Sequence, residues 1–254
     1  MGGDGIQMPK FFIEEKDILL NEIIIKGESV NHIKNVLRLK CGNEITLSSG
    51  NGVDYCVSIE RIEPDCIFTS IINIKRNDTE PPIEVTLFQG IPKSDKMDFI
   101  IQKSIELGVS RIVPVIMERT VVRFNNKKDL DNKVARWQRI ALEAAKQCKR
   151  GTVPQVEYPL TFNEALKLSS QAQLGIIPYE MEIEQGLKSN ISKSSARKIA
   201  VMIGPEGGIS ELEIKNAVNS GMKPVTLGPR ILRTETAGIA VLSILMYELG
   251  DIGI

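Results

Sequence analysis

The chain has 254 residues, 42% hydrophobic and 25% charged, with 32 basic against 32 acidic side chains; at roughly 150 residues per domain this is one large domain or two, and such a composition excludes a disordered tail protein. The cysteines Cys41, Cys56, Cys66 and Cys148 stand 15, 10 and 82 residues apart and His32 is the sole histidine, so no zinc-type cluster is available and no metal is expected. The longest apolar run, Ala237 to Tyr247, is too short to span a bilayer and nothing reads as a signal peptide, which predicts a cytoplasmic protein with reduced thiols.

Met1 to Gln7 carries no pattern and precedes a second methionine, Met8, so it reads as an appended leader or an alternative start. From Phe11 to Ile72 the pattern is of short β-rich segments: Glu22 to Lys26, Glu44 to Ser48, Val53 to Ile59 and Ile67 to Ile74. Gly42-Asn43, Gly50-Asn51-Gly52 and Glu63-Pro64-Asp65 punctuate them as turns, and strands so spaced suggest a small barrel. Between Val30 and Lys40, Ile33, Val36 and Leu37 fall at helical spacing. His32 reads as a capping or packing residue rather than a catalyst. Residues 77–82 end in Pro81-Pro82, which continue neither a helix nor a central strand, so the expected division is a barrel over 1–76, a linker over 77–82 and a second domain over 83–254.

Beyond Ile83 strands alternate with helices. Ile83 to Gln89 reads as a strand, Lys96 to Leu107 as a helix burying Met97, Ile100, Ile101 and Ile105, and Ile112 to Met117 as an apolar strand. A long helix from about Leu130 to Lys149 carries Trp137, Ile140, Ala141, Ala144, Ala145 and Cys148 as its buried stripe, with Trp137 in the core or at a dimer interface. Charge is uneven here. Residues 93–150 hold 14 basic against 7 acidic side chains, and 119–150 alone hold ten basic ones, a stripe that suits either a solvated face or RNA. A helix capped by Thr161 and Glu164 follows, then strands at Gln173 to Ile177 and Lys198 to Ile203, a helix at Glu211 to Asn219, a strand at Pro224 to Leu227 and a last helix from about Glu235 to Leu249. The alternation predicts an α/β fold with a mostly parallel, helix-covered sheet.

Open α/β sheets bind ligands at the carboxyl ends of their strands. Three such ends are conspicuous: Ile177-Pro178-Tyr179, the IGPEGG run from Ile203 to Gly208, and Leu227-Gly228-Pro229-Arg230. The glycines of IGPEGG let backbone approach a ligand or supply positive φ, and Ser210 with Glu213 forms a capping box for the next helix. The segment is neither a G-x-G-x-x-G fingerprint nor a P-loop. In LGPRILRTETAG, Arg230 and Arg233 precede a helix entrance, where cations are disfavoured unless an anion is present, so an anionic substrate would account for them.

The runs VLRLK (36–40), KSDKMDFIIQKSIELGV (93–109), ERTVVR (118–123), RWQRIALEAAKQCKR (136–150), IGPEGG and LGPRILRTETA resemble those of the bacterial ribosomal RNA small-subunit methyltransferase E family, in order and over nearly the whole chain after Met8. That family usually opens on Arg-Phe-Phe where this chain has Lys10-Phe11-Phe12, and Cys148 stands where serine is common. The resemblance implies a SPOUT-type α/β domain with a C-terminal trefoil knot, a PUA-like N-terminal barrel, a homodimer, and S-adenosylmethionine as donor for methylation of N3 of uridine 1498 in 16S ribosomal RNA of the small subunit. It assigns the cofactor to Ile203, Gly204, Pro205, Glu206, Gly207, Gly208, Leu227, Gly228, Ile231, Leu232, Thr234 and Thr236, with Ile177 and Pro178 adjoining.

Uridine N3 is a weakly acidic imide, so Arg233 or Arg230 is expected to stabilise its anion and Glu235 to accept its proton. RNA would be held by Lys10, Arg38, Lys40, Lys93, Lys96, Arg119, Arg123, Arg136, Arg139, Lys146 and Arg150. The competing readings are another SPOUT RNA methyltransferase, such as a ribose 2′-O-methyltransferase, or a non-catalytic RNA-binding ribosome assembly factor.

Overall fold

Period-two alternation of apolar and polar residues fixes the first sheet. The computed structural model describes residues 8–124, 126–192 and 194–253; Met1 to Gln7 lies outside the described residues. In β1 (Lys10–Phe12), β2 (Glu22–Lys26), β3 (Glu44–Ser48), β4 (Val53–Ile62) and β5 (Cys66–Arg76), the sheet order is β1-β3-β4-β5-β2. Ile23 and Ile25 of β2, Ile45 and Leu47 of β3, Val57 and Ile59 of β4 and Ile67 of β5 are fully buried in one cluster with Phe11, Val30 and Ile33. At roughly 1.5–3 kcal/mol for each large aliphatic side chain removed from water, this face is what holds the sheet together.

The segment expected to be helical is displaced. α1 spans Glu28–Asn31 and runs into a π-helical turn at His32–Val36, where Leu37 N–H bonds the His32 carbonyl five residues back. The wider turn breaks the 3.6-residue register: Ile33 is buried, but Val36 and Leu37 are exposed. His32 packs edge-on against Phe11.

This first unit comprises the described residues up to Glu80 together with Ala145–Val153. The distant segment is stitched in by polar contacts. Lys10 Nζ donates to Asp54 Oδ1 at 2.7 Å, Asn77 Nδ2 to Asp54 Oδ2 at 2.9 Å, and Ser48 Oγ to the Gly151 carbonyl at 3.3 Å. Glu80 receives Arg150 Nε and Nη2 together with the backbone N–H groups of Gly151 and Thr152. Burial alone would push the Glu80 carboxyl up, yet the Arg150 guanidinium and the Thr152 hydrogen bonds hold it below the ordinary carboxylate value.

The second unit, Pro81–Ala144 with the described part of Pro154–Ile254, is the alternating one. Its strands are β6 (Glu84–Gly90), β7 (Arg111–Ile116), β8 (Gln155–Val156), β9 (Leu160–Thr161), β10 (Leu174–Pro178), β11 (Lys198–Ile203) and β12 (Lys223–Val225). They form one sheet in the order β12-β10-β11-β6-β7-β8, with β9 also on β7, and every pairing is parallel. The helices are α2 (Lys96–Glu106), α3 (Lys127–Gln147), α4 (Phe162–Ser169), α5 (Leu187–Ile191), α6 (Glu211–Asn219) and α7 (Thr234–Glu248). α2 buries Met97, Ile100, Ile101 and Ile105, and α3 buries Trp137, Ala141, Ala144 and Ala145 while leaving Ile140 half-buried; Cys148, just past its end, is half-buried too. Both capping boxes form, Thr161 with Glu164 and Ser210 with Glu213. Among the described residues no helix is long and apolar enough to cross a membrane.

Candidate active site

Parallel pairing brings the carboxyl ends of β6, β10, β11 and β12 to one edge of the sheet, where each strand turns into a loop. Three of these loops, 179–186 after β10, 204–210 after β11 and 226–233 after β12, line a cavity of about 890 Å³ together with Pro178, Ile203, Thr234, Ala237 and Lys96. That volume is of small-molecule size.

The loops are packed backbone to backbone. A methyl group on Gly90, at the end of β6, would lie 2.6 Å from the Pro205 nitrogen, and one on Gly204 would lie 2.7 Å from Ile209 Cγ1. Gly208 has φ +73° and Gly228 φ +105°, conformations that strain any residue with a Cβ. Side chains then tie the loops together. Gln89 Nε2 donates to Thr234 Oγ1 at 2.9 Å, and Thr234 Oγ1 donates to the Gly204 carbonyl at 2.6 Å, which links β6, α7 and the 204–210 loop. Arg119 Nη1 donates to the Gly207 carbonyl at 2.8 Å, and Glu118 N–H to Glu213 Oε1 at 2.9 Å.

Charge is divided around the cavity. Arg230 and Arg233 are exposed on its lining, and their side chains make no hydrogen bond or ion pair among the described residues. Lys96 Nζ lies 3.0 Å from Glu206 Oε1 and 3.4 Å from Glu235 Oε2. The Glu206 carboxylate holds the Lys96 ammonium above its ordinary value. For Glu206 itself burial opposes ionisation, but Lys96 and the backbone N–H of Lys93 carry its carboxyl below the usual range. Among the described residues no group of His, Cys, Asp and Glu is arranged to hold a metal ion.

A family profile for the RNA methyltransferase domain matches residues 79–246, and one for the RNA methyltransferase PUA domain matches 25–71. The ribosomal RNA small subunit methyltransferase E of Bacillus subtilis (strain 168) is 34% identical over 251 residues, covering 95% of this chain and 97% of that protein. The chain belongs to the ribosomal RNA small subunit methyltransferase E family. The crystal structure of a family member from Neisseria gonorrhoeae bound to S-adenosyl methionine superposes with a TM-score of 0.86 at 36% identity, covering 96% of this chain and 99% of that one. A methyltransferase from Legionella pneumophila in complex with bound SAM gives 0.87 at 30% identity, with 97% and 100% covered. The α/β methyltransferase fold and the PUA-like N-terminal domain are thus those of the family.

Most of the residues assigned to the cofactor by family resemblance do line the cavity; two do not. Ile177 is fully buried in the core, because neighbours on a strand face opposite sides and Pro178 takes the cavity side. Thr236 is exposed outside the lining, since α7 begins at Thr234 and two residues along a helix turn the side chain through about 200°. Glu235 is not on the lining either, but stands behind Lys96.

The expected RNA contacts divide. Arg38, Lys40, Lys93, Arg123 and Arg139 are exposed, and Arg38 has φ +52°. Arg119 is spent on Gly207, Arg136 is paired with Asp98, and Lys146 is half-buried. Lys10 and Arg150 are corrected: they are buried at 8% and 3% exposure in ion pairs with Asp54 and Glu80, so neither presents a charge to solvent. Sequence reading missed Gln89 and the 179–186 loop beyond Tyr179. A glutamine inside the apolar strand IEVTLFQ was a usable signal, since a polar residue buried in a strand needs a partner; the loop YEMEIEQG carried none.

Proposed function

We propose that this chain methylates N3 of uridine 1498 in 16S ribosomal RNA, with S-adenosylmethionine as donor, on the small ribosomal subunit in the cytoplasm. The observation that carries this reading is the cavity at the strand ends, walled by three loops and flanked by two unpaired arginines. Solved structures of the same fold hold S-adenosyl methionine, and the glycine-crowded backbone here borders a cavity of small-molecule size.

S-Adenosylmethionine supplies a methyl group already activated on a sulfonium. Backbone of 204–208, 227–228 and 231–232 would grip it, with Thr234 and Gln89 fixing the loops from behind. What remains for the protein is to orient uridine and to take the N3 proton. Glu235 would take the N3 proton; the N–H electron pair would form the new N–C bond as the donor's methyl–sulfur bond breaks with its pair left on sulfur, and Arg233 and Arg230 would face the charge that spreads onto the two uracil carbonyl oxygens. Arg38, Lys40, Lys93, Arg123 and Arg139 supply phosphate contacts.

The same proposal includes the SPOUT-type trefoil knot, supported by the side-by-side loops 179–186, 204–210 and 226–233, and a homodimer, supported by the exposed Ile244 and Tyr247 on α7, a helix apolar on almost every side. It also retains the division into 1–76, 77–82 and 83–254.

The test is transfer of labelled methyl from S-adenosylmethionine to unmodified small subunits, followed by digestion and mass spectrometry of the nucleosides. N3-methyluridine at the single site is expected. A ribose-methylated nucleoside, or no transfer despite donor binding, overturns the reading.

A further inference from the structure

Lys96 belongs to a cluster whose balance is wrong for RNA. Its ammonium is matched by two carboxylates, Glu206 at 3.0 Å and Glu235 at 3.4 Å, so a phosphate arriving there would meet net negative charge. The arrangement suits holding a carboxylate rather than catching an anion.

The cluster is built from separate loops. Glu206, on the 204–210 loop, accepts the backbone N–H of Lys93 on both oxygens, at 3.1 and 3.2 Å, and so pins the segment between β6 and α2. In that segment Ser94 sits at φ +57°, a conformation a serine keeps only when its surroundings impose it. Lys96, the first residue of α2, is thereby fixed with its side chain on the cavity wall. From there it reaches Glu235 in the first turn of α7. The Glu235 side chain is only 16% exposed, and its Oε2 atom is buried against the Lys96 ammonium 3.4 Å away, so Lys96 holds that oxygen and any proton must go to Oε1. A carboxylate oxygen left with an unclaimed lone pair is available to take a proton, provided something fixes where it points.

We propose that Lys96 is a positioning residue: its ammonium, anchored by Glu206, holds the Glu235 carboxylate in the orientation that accepts the N3 proton. This rests on the reading of Glu235 as proton acceptor, and the two are separable by experiment.

The experiment measures methyl transfer to unmodified small subunits with Lys96→Gln, Lys96→Arg, Glu235→Gln and the Lys96→Gln/Glu235→Gln pair, recording kcat and the KM values for donor and subunits. Thermal melts accompany each variant. Misplacing a proton acceptor by an ångström costs about 100-fold, so Lys96→Gln is expected to lose about that in kcat with both KM values within about twofold. Lys96→Arg recovers most of the loss, and Lys96→Gln costs nothing more once Glu235 is glutamine, as expected of two residues acting as one unit.

A raised KM for subunits at unchanged kcat would make Lys96 a phosphate contact and overturn the proposal, as would losses that multiply in the pair or a Lys96→Arg variant no better than Lys96→Gln. Full activity in Glu235→Gln removes the proton acceptor and the proposal together. An inactive Glu235→Gln beside a fully active Lys96→Gln removes the proposal alone.

Discussion

Two clusters of carboxylates and cations, one in each unit, use the same residue types to opposite ends. In the first, Glu80 receives two bonds from Arg150 and two from backbone, and Lys10 and Asp54 pair at 2.7 Å with side chains 3% and 7% exposed. Every charge there is saturated. In the second, Lys96 and Glu206 stand on a cavity wall, partly open to solvent, and Lys96 reaches Glu235 off the lining. Saturated pairs hold chain to chain, whereas a cluster bordering a cavity keeps charge beside it. The stripe of basic residues over 119–150 gives Arg150 to the first cluster and none to the second, while Arg123 and Arg139 meet solvent, which is why charge count alone did not sort its members.

The largest effect that would break this contrast is in the first cluster. Asp54→Ala leaves Lys10 buried against a carbonyl and should cost about 3–5 kcal/mol, the usual penalty for orphaning a buried charge. Urea titration followed by hydrogen exchange in β1–β5 reads it; a loss under about 1 kcal/mol would mean the pair is not structural. Donor affinity of the folded protein should stay unchanged.

In the second unit the corresponding lesion is Gly90→Ala. The added methyl would lie 2.6 Å from the Pro205 nitrogen, which is backbone and yields little. Overpacking of this kind costs about 1–3 kcal/mol. If it falls on the cavity, calorimetry with S-adenosylhomocysteine will show affinity reduced about tenfold or more; unchanged affinity would detach β6 from the site.

A smaller effect sharpens the division of the stripe. Arg139→Ala, at an exposed position, should flatten the log-log salt dependence of small-subunit binding by about 0.7–0.9. Arg150→Gln, at a buried one, should leave the slope alone. Equal slopes for both variants would erase the distinction.

The smallest concerns acid. Glu80 has a lowered carboxyl in the folded chain, so its contribution to stability is complete above the ordinary value of 4.5 and is lost as pH falls through the lowered one. Glu80→Gln lacks that dependence, and its urea midpoint should drop less than the parent's between about pH 5 and pH 3. Parallel declines would assign the acid sensitivity elsewhere.

Local pattern carried far here because the second unit obeys local rules. Residues 211–219 are helical as expected, the two capping boxes form, and the strand ends after β10, β11 and β12 do converge. Reading failed where local period and tertiary demand parted. The π-turn at His32–Val36 upset a helical spacing, β1 and the short β8 and β9 were too brief to show a period, and Ile177 lay one residue from the correct face.

What the sequence determined by itself was the order of the longer elements, the α/β grammar after Ile83 and the three strand ends that line the cavity, since hydrophobic period and glycine placement are local properties of the chain. The fate of each charge was decided only by the tertiary structure. Whether a lysine or arginine meets water, a carboxylate or a carbonyl depends on residues far away in sequence, as Lys10 depends on Asp54, Arg119 on Gly207 and Lys96 on Glu206 and Glu235. Electrostatic energy follows distance and burial in space, and no spacing along the chain records either.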